Sequence, residues 1–235
     1  MTPAPEKRKQ KKVKILAVTF DFELQRSHIP AFRGAMVEKV GRENLLFHNH
    51  LDNGSFLYGY PLIQYKLIRR NPAMLCIEHG SEEILKFFEK INWDLTIRGQ
   101  RIETEIKNLS FDYFVCGFSP VPVPYRIYNW FALNEENFKR FAETKDETQR
   151  IDLLRRILIG NIISFAKGIG WNIDGEIELQ IKWLPSTRAF SFKNHRMIGF
   201  DLDFTTNLLL PDFIGLGKSV ARGFGMIERK KSWNR

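Results

Sequence analysis

The chain has 235 residues, with 36 Lys and Arg against 27 Asp and Glu, a formal charge of +9 at pH 7. That length holds one large domain or two small ones, each with its own buried core. The only cysteines, Cys76 and Cys116, lie in apolar strand-like runs and exclude a disulfide framework. They read as buried free thiols in a reducing, cytoplasmic setting. No run reaches the ~20 apolar residues of a membrane-spanning helix, and Asp21 and Glu23 end the apolar run after the basic start too early for a signal peptide.

In chain order, Val13–Leu24 has the β-branched and aromatic content of a strand. Phe32, Ala35, Met36 and Val40 recur at helical spacing after Pro30, with Gly41 placed to stop the helix. Pro61–Ile68 reads as a second strand with Ile63, Tyr65 and Leu67 on one face, and Ala73–Glu78 as a third. Ser81 caps a helix with Ile84, Phe88 and Ile91 as its apolar face, and a fourth strand alternates Ile102, Thr104 and Ile106 inward. This order is β-α-β-β-α-β, the ferredoxin-like unit.

Pro120, Pro122 and Pro124 then mark a bridge, the expected domain boundary. Beyond it come a strand over Arg126–Leu133, a short helix over Glu135–Ala142 and a long amphipathic helix over Asp146–Lys167. The long helix carries Ile151, Leu154, Leu158 and Ile162 on one side. Strand-like runs follow at Ile177–Leu184, Arg188–Phe192, Met197–Asn207 and Phe224–Glu228. The expected fold is α+β, two tandem ferredoxin-like (RRM-like) domains over 13–118 and 119–235 with a central cleft for an extended ligand.

The charge is concentrated at the ends. Residues 1–14 and 215–235 each contribute +5, so the rest is nearly neutral, which suits a polyanion groove. The C-terminal cluster includes Gly215-Leu216-Gly217-Lys218-Ser219-Val220-Ala221-Arg222-Gly223-Phe224-Gly225. Glycines permit positive φ and turned-out N–H groups, and Lys218 and Arg222 add full charges, so the composition is that of a phosphate-gripping loop. A Walker A loop is excluded because Asp212 stands where its first glycine belongs, and a dinucleotide fingerprint because Val220 interrupts it. RNA remains, with Gly215, Gly217, Lys218, Ser219, Arg222, Gly223 and Gly225 as candidate contacts; the alternative is a glycine-rich hairpin turn with scattered surface charge.

A second constellation is Leu45-Leu46-Phe47-His48-Asn49-His50, followed by Tyr58 and Tyr60. Two histidines titrate near neutrality and can share general-base and general-acid work without a metal. On RNA, one takes the 2′-OH proton beside the scissile phosphate and the other protonates the departing 5′-oxygen. A cyclic phosphate and a 5′-hydroxyl result, with a Tyr hydroxyl or a Lys stabilising the extra charge on phosphorus. A zinc site would need Asp52 to fold back onto the pair, and a purely structural loop is the other alternative.

Together these residues resemble the CRISPR-associated endoribonucleases that process repeat RNA, the glycine-rich-loop superfamily of such proteins. The matching runs are Ile29–Ala35, Leu46–His50, Tyr60-Pro61-Leu62-Ile63-Gln64-Tyr65-Lys66 and the glycine loop, within residues 13–228. The resemblance implies metal-independent cleavage at the base of a repeat hairpin, with no cofactor, and handover of the product to an interference complex. It implies His48 and His50 as the catalytic histidines with a tyrosine shortly after; Tyr58 is preferred over Tyr60, which the following proline ties to the strand. The expected partner is RNA and not a membrane, and the expected state is a monomer or homodimer. A non-cutting RNA-binding module and a ribonucleoprotein subunit remain the alternative functions.

Overall fold

The structure is a computed structural model that describes residues 9–48, 59–181, 183, 185–192 and 195–231. His50 and Tyr58 lie outside the described residues.

The first half begins with β1 (Lys11–Phe20) and α1 (Ile29–Val40), whose buried residues are Ile29, Phe32, Ala35, Met36 and Val40. Pro30 sits in the first turn, where its missing N–H costs nothing, and Gly41 ends the helix at φ +104°. A single turn, α2 (Leu45–His48), follows, then β2 (Ile63–Ile68) and β3 (Asn71–Ile77). The next helix is two short pieces, α3 (Gly80–Glu83) and α4 (Leu85–Phe88). Ser81 does not cap it; its hydroxyl donates to the Glu78 carbonyl at 2.6 Å. Ile84 and Phe87 point inward, and Ile91 is fully exposed.

The expected fourth strand differs most. Residues 95–102 form a separate hairpin of β4 (Leu95–Ile97) and β5 (Gln100–Ile102), turned by Arg98 and Gly99 at φ +52° and +81°. The fourth strand of the sheet is β6 (Ile106–Trp130), which is 25 residues long and runs through all three prolines. Its register slips between Phe118 and Val123, around the proline-rich stretch. Thr104 is buried because its hydroxyl donates to the Trp93 carbonyl at 2.6 Å.

In the second half, α5 (Glu135–Glu143) and α6 (Glu147–Gly168) are capped by the Asn134 and Asp146 side chains, which accept from Asn137 N and Gln149 N. Leu154, Leu158 and Ile162 of α6 are fully buried, as the spacing predicts. The remaining strands are β7 (Leu179–Ile181), β8 (Ser186–Phe192), β9 (His195–Leu209) and β10 (Met226–Arg229). Gly160, exposed on α6, has nothing within 4 Å of an added Cβ. Gly160→Ala is expected to stabilise the chain by about 0.5–1 kcal/mol, read from the urea midpoint.

The sheet runs β2-β3-β1-β6-β9-β7, with β10 also on β6 and β8 also on β9, every pair antiparallel. Each half has the ferredoxin-like strand order 4-1-3-2, and β6 is both the fourth strand of the first and the first strand of the second. The second half lacks the second helix; the glycine loop occupies its place between β9 and β10. One core lies around α6 and β9, the other under α1. Among the described residues no helix is long and apolar enough to cross a membrane.

Candidate functional site

His48 ends α2, held from three sides. Phe47 is buried and its carbonyl accepts from the Tyr65 hydroxyl at 3.1 Å; Asn44 Nδ2 donates to the Val40 carbonyl at 2.9 Å. The Arg33 guanidinium on α1 donates to the His48 carbonyl. The imidazole itself meets the Arg42 carbonyl through Nε2 at 2.5 Å. A carbonyl only accepts, so in this contact Nε2 carries the proton. Arg33, Gly34, Val37, Glu38, Arg42 and His48 line a cavity of about 550 Å³.

The electrostatics of this cavity favour an anion. Burial lowers the Arg33 guanidinium from its ordinary pKa, the Tyr65 hydroxyl partly offsets this, and the neighbouring Arg222 lowers it further. Burial also lowers Arg222. Arg33 Nε is buried with no hydrogen-bond partner among the described residues. A half-buried guanidinium close to a second guanidinium is complementary to phosphate.

The glycine loop reaches this place from the second half. Val220–Arg222 forms a 3-10 turn between Ser219 at φ +57° and Gly223 at φ +85°. Contacts within the chain account for the glycines. A Cβ at Gly225 would lie 1.9 Å from the Leu216 carbonyl oxygen, and one at Gly217 would lie 2.6 Å from the Trp130 indole nitrogen. The N–H groups of Gly215, Leu216, Lys218, Arg222, Gly223 and Gly225 are all bonded within the protein. The loop is thus a packed element, and the charges it offers to a ligand sit on two side chains. Lys218 is exposed, with Nζ 3.5 Å from the Leu133 carbonyl; Arg222 stands beside Arg33. Arg33 of α1 is thus bonded to the His48 carbonyl and lies within electrostatic range of Arg222, whereas Lys218 lies toward the Leu133 carbonyl.

Three side chains of the first half hold the loop there. The Tyr60 hydroxyl donates to the Gly215 carbonyl at 2.8 Å, and its ring packs on Phe165 at 5.2 Å. Gln64 Oε1 accepts from the Gly215 N–H at 3.0 Å, while its Nε2 donates to the Pro61 carbonyl at 2.9 Å. Lys66 is fully buried, with Nζ 3.4 Å from the Val220 carbonyl. Burial pushes the Tyr60 hydroxyl up, away from ionisation. Sequence reasoning missed Arg33 and the holding role of these three. The signal was present, because Tyr60, Gln64 and Lys66 all fall in the run that carries the family resemblance.

Lys66 has a measurable consequence. Burial, with Arg26 adding to it, lowers its amine from 10.5 to about 7. Between those values the unfolded chain holds a proton that the folded chain lacks, so this group's contribution to stability is fully present above about 10.5 and is lost as pH falls toward 7. The urea midpoint is expected to rise from pH 7 to pH 9, and Lys66→Met to flatten that rise while increasing stability at pH 7.

Among the described residues no three His, Cys, Asp or Glu gather as a metal-ligand set.

Comparison with known proteins agrees along the whole described chain. The family model of the Cas6b N-terminal domain matches residues 11–114, and that of the Cas6b C-terminal domain matches residues 117–230. A crystal structure of Cas6b is 28% identical and superposes with a TM-score of 0.83, covering 94% of this chain and 100% of that one. A second, described as a CRISPR RNA processing endoribonuclease Cas6b, is 27% identical with a TM-score of 0.72 and the same coverage. An uncharacterised protein of Methanocaldococcus jannaschii is 28% identical over 139 residues, 58% of this chain and 92% of that protein. With both halves matched in order by the two domains of one family, the chain belongs to the Cas6b family.

Proposed function

We propose that this chain is an endoribonuclease that cuts the repeat RNA of CRISPR precursor transcripts to give mature guide RNA. The observation that carries the reading is the match of both halves to Cas6b, one of whose solved structures is described as a CRISPR RNA processing endoribonuclease.

In the proposed reaction His48 and His50 divide the proton transfers. One removes the 2′-OH proton, the resulting oxygen attacks the adjacent phosphorus, and the other protonates the leaving 5′-oxygen. The products are a 2′,3′-cyclic phosphate and a 5′-hydroxyl. Tyr58 assists at the phosphate. Arg222 and Lys218 hold the backbone, and the Arg33 guanidinium adds positive charge where negative charge grows on the phosphorane. The proposed chemistry needs no metal. The partner is repeat RNA, the product passes to a CRISPR interference complex, and the work takes place in the cytoplasm.

The test is cleavage of a synthetic repeat RNA in EDTA, beside the same RNA with a 2′-deoxynucleotide 5′ to the scissile phosphate. The expected result is cutting of the all-ribose RNA alone, with a cyclic phosphate on the upstream product. Cutting of the deoxy substrate, or arrest by EDTA, would discard the mechanism. Intact RNA in a tight complex would make the chain a binding module.

A further inference from the structure

β8 lies against the glycine loop. The Phe190 ring meets the Phe224 ring edge to face at 5.5 Å, and Phe131 stacks on Phe224 at 4.2 Å. Arg188, two residues before Phe190 and so on the same face of β8, pairs with Asp201 on β9, Nη2 to Oδ2 at 3.4 Å. The Asp201 carboxylate is buried and already engaged, because Oδ1 accepts the Asn129 N–H at 2.6 Å. The Arg188 side chain is 67% exposed, so the pair leaves its guanidinium open to solvent.

A second guanidinium, from the first half, lies within electrostatic range of the same carboxylate. Arg26 opens a single 3-10 turn (Arg26–His28) ahead of α1. Burial lowers its pKa, the Asp201 charge partly offsets this, and Arg188 lowers it further. One carboxylate thus stands against two cations from opposite halves, and positive charge is left over. That surplus suits an anion, and a planar guanidinium fork matches phosphate through two N–H groups. The cationic row continues toward the proposed cleavage site. The charge of Arg26 is also felt at Lys66, whose Nζ is 3.4 Å from the Val220 carbonyl. Val220 opens the turn that carries Arg222, and Arg222 acts on Arg33.

We infer that Arg26 and Arg188 together clamp one backbone phosphate of the repeat RNA, other than the scissile one. β8 and the turn before α1 then extend the track that Arg33 and Arg222 begin. The identity of the ligand rests on the proposed function. RNA is favoured over an acidic peptide because the clamp lies in one row with the groups assigned to the reacting phosphate. A purely structural ion pair is the other use of Arg188 and Asp201, and two observations disfavour it. A pair with so exposed a guanidinium contributes little to stability, and the Asn129 N–H holds Asp201 without it.

The test is binding of the repeat RNA that carries the 2′-deoxynucleotide, which stays uncut, over a series of salt concentrations. Arg188→Gln is expected to weaken binding about 10-fold, the loss of one charged contact, with the urea midpoint unchanged. Its log–log salt dependence should be shallower by about 0.7, the share of one phosphate on a single strand. Arg188→Lys, which keeps the charge, should keep the wild-type slope. Because both guanidiniums hold the same phosphate, Arg26→Gln combined with Arg188→Gln should weaken binding by less than the product of the two single losses. Wild-type affinity and slope in Arg188→Gln would overturn the inference, as would lower affinity at an unchanged slope, the mark of a displaced strand. Losses that multiply in the double variant would give the two guanidiniums separate phosphates and overturn the shared clamp. A wild-type chain that does not bind the RNA at all would overturn the proposed function as well.

Discussion

His48→Ala is expected to slow single-turnover cleavage of repeat RNA by about 10²–10⁴-fold, the range of general acid–base catalysis, with little change in affinity for uncut RNA. Affinity should persist because the cationic groups at the cavity, Arg33 and Arg42, and Arg222 near Arg33, are untouched. Loss of activity could also come from a displaced α2, since the imidazole is hydrogen-bonded to the Arg42 carbonyl. His48→Gln separates the two causes: its amide nitrogen can reach that carbonyl as Nε2 does but cannot move a proton at neutral pH. Equal losses in the Ala and Gln variants place the defect in chemistry. A Gln variant with wild-type rates would reduce His48 to an anchor and leave the proton transfers to other groups.

Gly225→Ala should be the most damaging single-methyl change in the glycine loop. The left-handed backbone, at φ +64°, costs about 1–2 kcal/mol for an L-residue. The new Cβ would also lie 1.9 Å from the Leu216 carbonyl oxygen, an approach that backbone must move to relieve. Moving it breaks the Leu216 N–H bond to the Gly225 carbonyl at 2.8 Å and loosens the attachment of Arg222 beside Arg33. The expected result is a lower urea midpoint together with weaker RNA binding. If stability were unchanged and binding alone were lost, the glycine would instead serve the close approach of RNA, as the composition of the loop first suggests.

The helices that pack one face against one core were legible as periodicity: α1 and α6 follow it directly. Residues 102–106 misled because a hairpin arm, a buried Thr104 and the start of a long strand together mimic one alternating strand. The Arg98-Gly99 turn before them was the overlooked signal, since a glycine at positive φ tightens a two-residue hairpin. Gln64 and Lys66 are a different case. On a strand whose other residues are apolar they read as solvent-facing, and their burial depends on a loop about 150 residues away. The glycines were legible as a demand for unusual backbone angles, but not as contacts with Trp130 and Leu216, which only the folded neighbours define.

The sharing of β6 bears on how the molecule comes apart. The first part of this strand pairs with β1 and its second part with β9, so one backbone ties the two halves together. Val13, Leu75 and Ile77 of the first half also belong to the core around α6. Heating should therefore give one calorimetric transition rather than two, and a fragment ending at residue 118 should not melt as an independent body, because Val13, Leu75 and Ile77 would lose the core they share with α6.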